Sequence, residues 1–373
     1  MAIKRVLFCL ILLAATAQAH AQGKLRWTVT GDSAAKNMRP LESTFTLNDA
    51  AVLFQCADAH LYCVEPNEGK VLWKLNQSIR PSAPAWVLDS IVLAEVSGLV
   101  LPNKQGVQVP FYGVVKLHVR TGKVLGTTPL ERIYSEPKAA NGNWVFNAQM
   151  ANRKFCMAYN LERDTVLWRY ANDGGYRQDP QLFRGYVVVH TGEGTFAALN
   201  PLNGKSKFDD DKEVEQYLPA VGNGSYFVHY DNDKHVLQNI APAKLDKVLW
   251  KKTLEKNTAQ VLFAAAKVYC LTEEHKLAGY DAKTGDEILK LDFKKDIERL
   301  KLDETPEVRI AAVEGNNLYV VINGTTIFTV DVKKQEIARK LDLGLFKPVH
   351  QFAIKRGVFY MVTKNDGNLI SVK

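Results

Sequence analysis

HLYCVEPNEGKVLWKL, residues 60–75, is the stretch that decides the fold, because the chain writes it again in degenerate form along its length. Its partners are VVKLHVRTGKVLGTTPL (114–130), FCMAYNLERDTVLWRY (155–170), TFAALNPLNGKSKFDD (195–210), HVLQNIAPAKLDKVLWKKTL (235–254), KLAGYDAKTGDEILKLDF (276–293) and IFTVDVKKQEIARKLDL (327–343). A repeat of this size dictates architecture more strongly than any local propensity. The equivalent positions are Trp27, Trp73, Gly126, Trp168, Phe208, Trp250, Leu289 and Ala338, spaced 39 to 53 residues apart.

Each unit reads as strands throughout. In the first, Thr44 to Leu47, Ala51 to Cys56, His60 to Glu65 and Lys70 to Leu75 are separated by the turns Asn48-Asp49, Ala57-Asp58-Ala59 and Asn67-Glu68-Gly69. Short β-branched and aromatic runs broken by Gly, Asn and Asp are hairpin signals. Four antiparallel strands every forty-odd residues is the period of a propeller blade. One such sheet cannot bury both faces, so neighbouring blades pack face to face around an axis. Trp73, Trp168 and Trp250 are expected to fill the space between blades.

The two ends of the chain are incomplete in complementary ways. Residues 350–373 supply three strands, Gln351 to Ile354, Val358 to Val362 and Asn368 to Val372, and stop before a fourth. QGKLRWTVTGD (22–32) is a fourth strand with nothing before it. Joining them closes the ring and removes open edges. The expected fold is therefore all-β: an eight-bladed β-propeller of four-stranded antiparallel blades, the last closed by Lys24 to Thr30.

Residues 1–21 have a basic start (Lys4, Arg5), an apolar run from Val6 to Ala15 and small residues at Ala17, Ala19 and Ala21. That is the grammar of a cleaved secretory signal, and the run is shorter than the ~20 residues a membrane span needs. Residues 22–373 are then one exported domain, periplasmic or secreted and monomeric, with no transmembrane segment. Cys9 lies inside the apolar run, so no lipid anchor is expected. The formal charge of +8 falls to +6 without Lys4 and Arg5. Its lysines are interleaved with acids, as in DFKKDIERLKLDE (292–304), whereas a nucleic-acid footprint clusters; no nucleic-acid partner is expected. Cys56, Cys63, Cys156 and Cys270 are few for an exported chain. Buried free thiols are the expected state; a hairpin disulfide between Cys56 and Cys63, which flank one tight turn on the same face, is the alternative.

LYCVEPNEGKVLW (61–73) and LAGYDAKTGDEIL (277–289) are similar to the repeat of the pyrroloquinoline-quinone-like propellers, with its A-x-D-x-x-T-G-x-x-x-W signature. Gly126 and Ala338 depart from it. The resemblance implies one of two roles. Quinone-dependent dehydrogenases of this family hold the cofactor and calcium, often beside a pair of adjacent cysteines, and no two cysteines are adjacent here. The other branch looks like the propeller subunit of the outer-membrane barrel-assembly machine, a scaffold without cofactor; its lipid-anchor cysteine is missing here.

The residues themselves point to no catalytic site, and neither a cofactor nor a metal is expected. The histidines are scattered, with His229 and His235 the one close pair, and DNDKH (231–235) is short of the oxygens calcium demands. HTGEGT (190–195) reads as a hairpin turn, since no helix follows to bind phosphate. Decorated loops are the better signal. Connections from an outer strand to the next inner strand carry SIRPSAP (78–84), ERIYSEP (131–137), GGYRQDP (174–180) and EVEQYLP (213–219). They gather Arg80, Arg132, Tyr134, Tyr176, Arg177 and Tyr217 at one mouth of the channel, and Tyr and Arg are enriched at interaction hot spots. A loop insertion, SGLVLPNKQGVQVPFYG (97–113), adds Leu99, Leu101, Val107, Phe111 and Tyr112 on that face. A second, residues 293–304, places Phe293, Ile297 and Leu300 on one helical stripe. The expected function is a non-enzymatic scaffold binding a protein or peptide in the cell envelope. The rivals are a quinone- or metal-dependent oxidoreductase and a glycan-binding propeller.

Overall fold

The computed structural model describes residues 21–22, 24–31, 45–56, 58, 60–75, 85–171, 179–183, 185–190, 196–210, 217–221, 227–231, 234–240, 248–264, 266–302, 305–343, 348–364 and 367–373. Its strands fall into eight sheets. Seven blades are built from consecutive chain and are numbered here 1 (45–75), 2 (86–127), 3 (132–171), 4 (181–210), 5 (217–253), 6 (258–292) and 7 (308–342). The remaining sheet, the closing blade, is composite: Val349–Lys355, Val358–Thr363 and Leu369–Val372 are completed by Leu25–Val29.

The expectation of an eight-bladed β-propeller is corrected: seven blades are formed, each from consecutive chain, and the two ends of the chain meet in a composite sheet that closes the ring. Only the seven are contiguous in sequence, and two sheets carry five strands. In blade 3 the inner strand is broken into Arg132–Ile133 and Lys138–Ala140, both paired with Asn143–Met150. The break has a local cause. Pro137 has no N–H to give to a ladder, and the Ser135 hydroxyl, not a carbonyl, accepts the Asn147 N–H at 2.7 Å. In blade 7, Ala21–Gln22 adds a fifth strand, parallel to Leu341 and Asp342.

Apolar clusters join blade to blade. Leu53, Cys63 and Trp73 of blade 1 pack on Val92, Val115 and Leu117 of blade 2, and similar clusters link 2 to 3, 3 to 4, 5 to 6, 6 to 7 and 7 to the closing blade. The inner strands of blades 4 and 5 are neighbours. Val29, Tyr360 and Val362 of the closing blade meet Val52, Phe54 and Tyr62 of blade 1, which completes the ring. The terminal strand is in register, Leu25 opposite Val372, Trp27 opposite Ser371 and Val29 opposite Leu369.

The tryptophans lock these seams in one way. Trp27, Trp73, Trp168 and Trp250 donate Nε1–H to Asn67 O, Val119 O, Pro201 O and Ala282 O of the next blade, at 3.2, 2.7, 2.7 and 3.1 Å. Each ring lies against a glycine of the same turn: Gly69, Gly122, Gly204 or Gly285, all at positive φ. A Cβ there would stand within 2.8 Å of the indole. Where blade 2 has Gly126 instead, Lys116 beside it reaches Asp164 of blade 3 at 3.0 Å. In blade 7 the register puts Arg339 opposite Thr329, as Trp73 is opposite Cys63; Arg339, not Ala338, is the equivalent position.

The four described cysteines are free and buried. Cys56 and Cys63 lie on opposite faces, which corrects the expectation of a shared one. Cys56 pairs with His60, three residues before Cys63, so Cys56 turns to the closing blade and Cys63 to blade 2. Burial pushes the Cys63 and Cys270 thiols up to about 12.

Candidate partner-binding face

In this topology the connections from outer to next inner strand and those between second and third strands emerge on one face. The largest structure there is a hairpin. Residues 97–113, expected as a loop, continue the two middle strands of blade 2 as Ile91–Pro102 and Gln108–His118. The inner strand of the blade stops pairing at Leu93 and the outer strand at Val115, so the rest of the hairpin stands beyond its own sheet. Its tip is closed by Asn103, whose N–H donates to Val107 O at 2.8 Å and whose Oδ1 accepts from Gln105 N and Val107 N.

The prolines of the hairpin have a positional meaning. Asn103 and Val107 form a hydrogen-bonded pair, and antiparallel pairs alternate. Pro102 opposite Gln108 and Val100 opposite Pro110 are therefore non-bonded pairs, whose backbone N faces outward. Pro102 and Pro110 delete an outward donor from each edge, which blocks strand addition from outside. The side-chain faces also differ. Leu99 is buried, and Leu101 and Phe111 pack beside it on the blade 1–2 core. Val100, Val107, Val109 and Tyr112 are exposed, Tyr112 to 67%.

Arg132 and Tyr134 stand at the base of this hairpin, on the broken inner strand of blade 3. Arg132 Nε approaches the buried Glu95 Oε1 at 3.4 Å, and its guanidinium lies 5.7 Å from the Tyr134 ring centroid. Lys154 Nζ covers the same ring at 5.5 Å. The Tyr134 hydroxyl donates to Gln149, and Gln149 Nε2 donates to Glu131 Oε2 at 2.8 Å. The result is a tyrosine with two cations near its ring and the residue 40% exposed. Sequence reading missed Glu95, Gln149 and Lys154. Glu95 had a signal: a lone charge inside the apolar run IVLAEV (91–96) needs a buried partner.

Arg80, Tyr176 and Arg177 lie outside the described residues, as does the side chain of Tyr217, whose backbone opens the inner strand Tyr217–Val221 of blade 5. Arg132 and Tyr134 are thus brought together beside the hairpin residues. On the opposite side of the ring Phe293, Ile297 and Leu300 seat a short helix, Lys294–Glu298, on the core between blades 6 and 7. His235 Nδ1 lies 3.1 Å from the Tyr230 hydroxyl. Among the described residues no group of three or more His, Cys, Asp or Glu is arranged to hold a metal ion, and no helix is long and apolar enough to cross a membrane.

Residues 111–239 match the family described as outer membrane protein assembly factor BamB. No curated protein matches the sequence. Among solved structures, the computationally designed Ika8 protein aligns with a TM-score of 0.68 at 12% identity, over 94% of this chain and 100% of its own. BamB from Moraxella catarrhalis aligns with a TM-score of 0.61 at 12% identity, over 95% and 98%. Quinohemoprotein alcohol dehydrogenase from Comamonas testosteroni aligns at 0.60 and 10% identity, over 95% of this chain and 77% of its own. At these identities the structures share the fold alone. Together with the family match they support a PQQ-like β-propeller family for this chain.

Proposed function

We propose that this protein is an exported, non-catalytic scaffold that holds a protein partner of the cell envelope on the face carrying the blade 2 hairpin. The observation that carries the reading is the hairpin itself. It projects beyond its blade, its edges are closed by Pro102 and Pro110, and it still presents Val100, Val107, Val109 and Tyr112 to solvent. Apolar surface displayed on a rigid element, with its edge-pairing disabled, favours docking by side chains over strand addition. Tyr134, with Arg132 and Lys154 near its ring, extends the same surface, and Arg80, Tyr176, Arg177 and Tyr217 belong to the connections expected around it. The family match to an outer-membrane assembly factor supports an envelope role.

The test is affinity capture from the native envelope with the full chain and with a Tyr112→Ser, Val107→Ser variant. Loss of the captured partner at unchanged melting temperature is expected. Equal capture by both proteins overturns the assignment of this face.

A further inference from the structure

The N-terminal leader offers two cleavage frames that its sequence does not separate. A leader protease requires small residues three and one before the cut. Ala17 and Ala19 meet that requirement for a cut after Ala19, and Ala19 and Ala21 meet it for a cut after Ala21. His20 heads the first product and Gln22 the second.

The fold separates them, because Ala21 is part of a sheet. Ala21–Gln22 lies on the outer edge of blade 7 with Ala21 opposite Leu341 and Gln22 opposite Asp342, in parallel. One bond fixes which way the backbone groups of that edge point. Leu343 N–H donates inward to Thr325 O at 2.7 Å, so Leu343 and Thr325 are a bonded pair, and antiparallel pairs alternate. Asp342 opposite Thr326 and Lys340 opposite Phe328 are then non-bonded pairs, whose N–H and C=O face outward, toward the added strand. A strand residue set parallel and opposite Leu341 uses both of these neighbours. Ala21 donates its N–H to Lys340 O and accepts the Asp342 N–H on its own C=O, while the N–H and C=O of Gln22 face away from blade 7. Among the described residues, both ladder bonds of the added strand run through Ala21.

The chain crosses a seam at this point. Leu25 already belongs to the closing blade, opposite Val372, so the added strand ties blade 7 to its neighbour from outside. That seam has no indole lock, since Arg339 holds the tryptophan position of blade 7 and is exposed. A cut after Ala21 discards the residue that makes both bonds and leaves a charged ammonium on Gln22. A cut after Ala19 keeps them. Once blade 7 has formed, the bond after Ala21 is also shielded, because the carbonyl a protease must attack is held by Asp342.

We infer that the leader is removed by hydrolysis of the Ala19–His20 bond: water adds across that amide, leaving a carboxylate on Ala19 and a new ammonium on His20. The exported domain then begins at His20, two residues ahead of the boundary at Gln22, and keeps its own N-terminal strand on blade 7. The inference rests on the reading of residues 1–21 as an export leader, and its reagents are water and the leader protease of the exporting cell.

The test is intact mass and N-terminal sequencing of the full chain, expressed with its leader and recovered after export. His20 is the expected first residue. Ala21→Leu spoils the second frame only and should leave processing unchanged, whereas Ala17→Leu spoils the first and should block or displace it. A first residue of Gln22, or blocking by Ala21→Leu in place of Ala17→Leu, overturns the inference and leaves the export reading standing. A chain that keeps residues 1–19 overturns both.

Hydrogen exchange reads the added strand directly. Chains beginning at His20 and at Gln22, each released from a cleavable fusion, are compared at the Asp342 amide. Its N–H should exchange about fivefold or more faster in the shorter chain, the equivalent of one backbone hydrogen bond lost. Equal exchange in the two chains removes the bond on which the choice of frame depends and overturns the inference.

Discussion

The indole of Trp27 lies so close to Gly69 that a Cβ on the glycine would stand 2.4 Å from the ring. These residues are 42 apart in sequence, yet the contact fastens the N-terminal strand of the closing blade to blade 1. Gly69 sits at φ +71°, a conformation that a side chain resists independently of the clash. Gly69→Ala therefore meets both obstacles and should cost about 2–4 kcal/mol, with Trp27→Ala costing a similar amount through lost burial and the lost bond to Asn67. In the Trp27→Ala background only the backbone obstacle remains, so the two changes should be non-additive by about 1 kcal/mol or more. Denaturant melts of the four proteins measure this; strict additivity would mean the ring does not oppose the Cβ.

This seam is where the sequence was most and least legible. Strands, turns and the pairing of the two termini follow from alternation and from Gly, Asn and Asp at the turns. The Trp–Gly partnership also has a sequence trace: turns following a tryptophan blade carry Gly69, Gly122, Gly204 and Gly285, whereas Asp164 and Gln335 take positive φ where no indole precedes. Counting four residues on from Gln335 gives Arg339, and without a glycine or tryptophan to anchor the count Ala338 was a one-residue slip. The hairpin read as a loop because Pro102, Pro110, Gly98 and Gly106 are breakers by type. The ladder survives because both prolines face away from the strand partner, a property of register that composition does not carry. The candidate site was half legible. Arg132 and Tyr134 were found from loop residue types; Glu95 carried the trace of a lone charge in an apolar run but its partner lies in the next blade, and Lys154 reaches Tyr134 across the strands of blade 3, a contact no local pattern encodes.

Acid should loosen the closing seam through Glu65. Burial alone would raise this carboxyl, but the Asn67 and Glu68 N–H groups and the charge of Arg26 hold it below the ordinary range. Its oxygens accept those N–H bonds at 2.9 and 2.6 Å, and they shape the turn whose Asn67 carbonyl receives Arg26 and Trp27. A depressed carboxylate contributes stability above its unfolded pKa and loses it as pH falls through its folded pKa. Glu65→Gln should thus lower the melting temperature at neutral pH and flatten its decline on acidification below about pH 4.5, the ordinary carboxylate range. Parallel acid limbs in the two proteins would remove Glu65 from the account.

Lys24 to Thr30 is predicted to be structural, not a disposable tail. The strand donates and accepts backbone bonds with Lys373 at 2.9 and 3.0 Å and supplies Trp27 and Val29 to the closing core. Its removal uncovers the outer edge of Leu369–Val372 and leaves Tyr360 without the indole 5.9 Å away. A chain lacking these residues should melt well below the intact protein and aggregate on heating, since an exposed strand edge templates association. An unchanged melting temperature would mean the ring does not depend on this closure.

The Arg132–Glu95 pair separates support from recognition on the hairpin face. Glu95 is buried between blades 2 and 3, while Arg132 is partly exposed beside Tyr134. Arg132→Ala leaves a buried carboxylate without its guanidinium and should cost about 2 kcal/mol. Pairing it with Glu95→Gln removes the charge as well, so the double variant should recover much of that stability. Partner capture is expected to behave differently, because Tyr134 loses a cation near its ring whether or not Glu95 is charged. Restored melting temperature with capture still impaired assigns Arg132 to the binding surface. Capture that recovers together with stability would reduce Arg132 to a counter-ion.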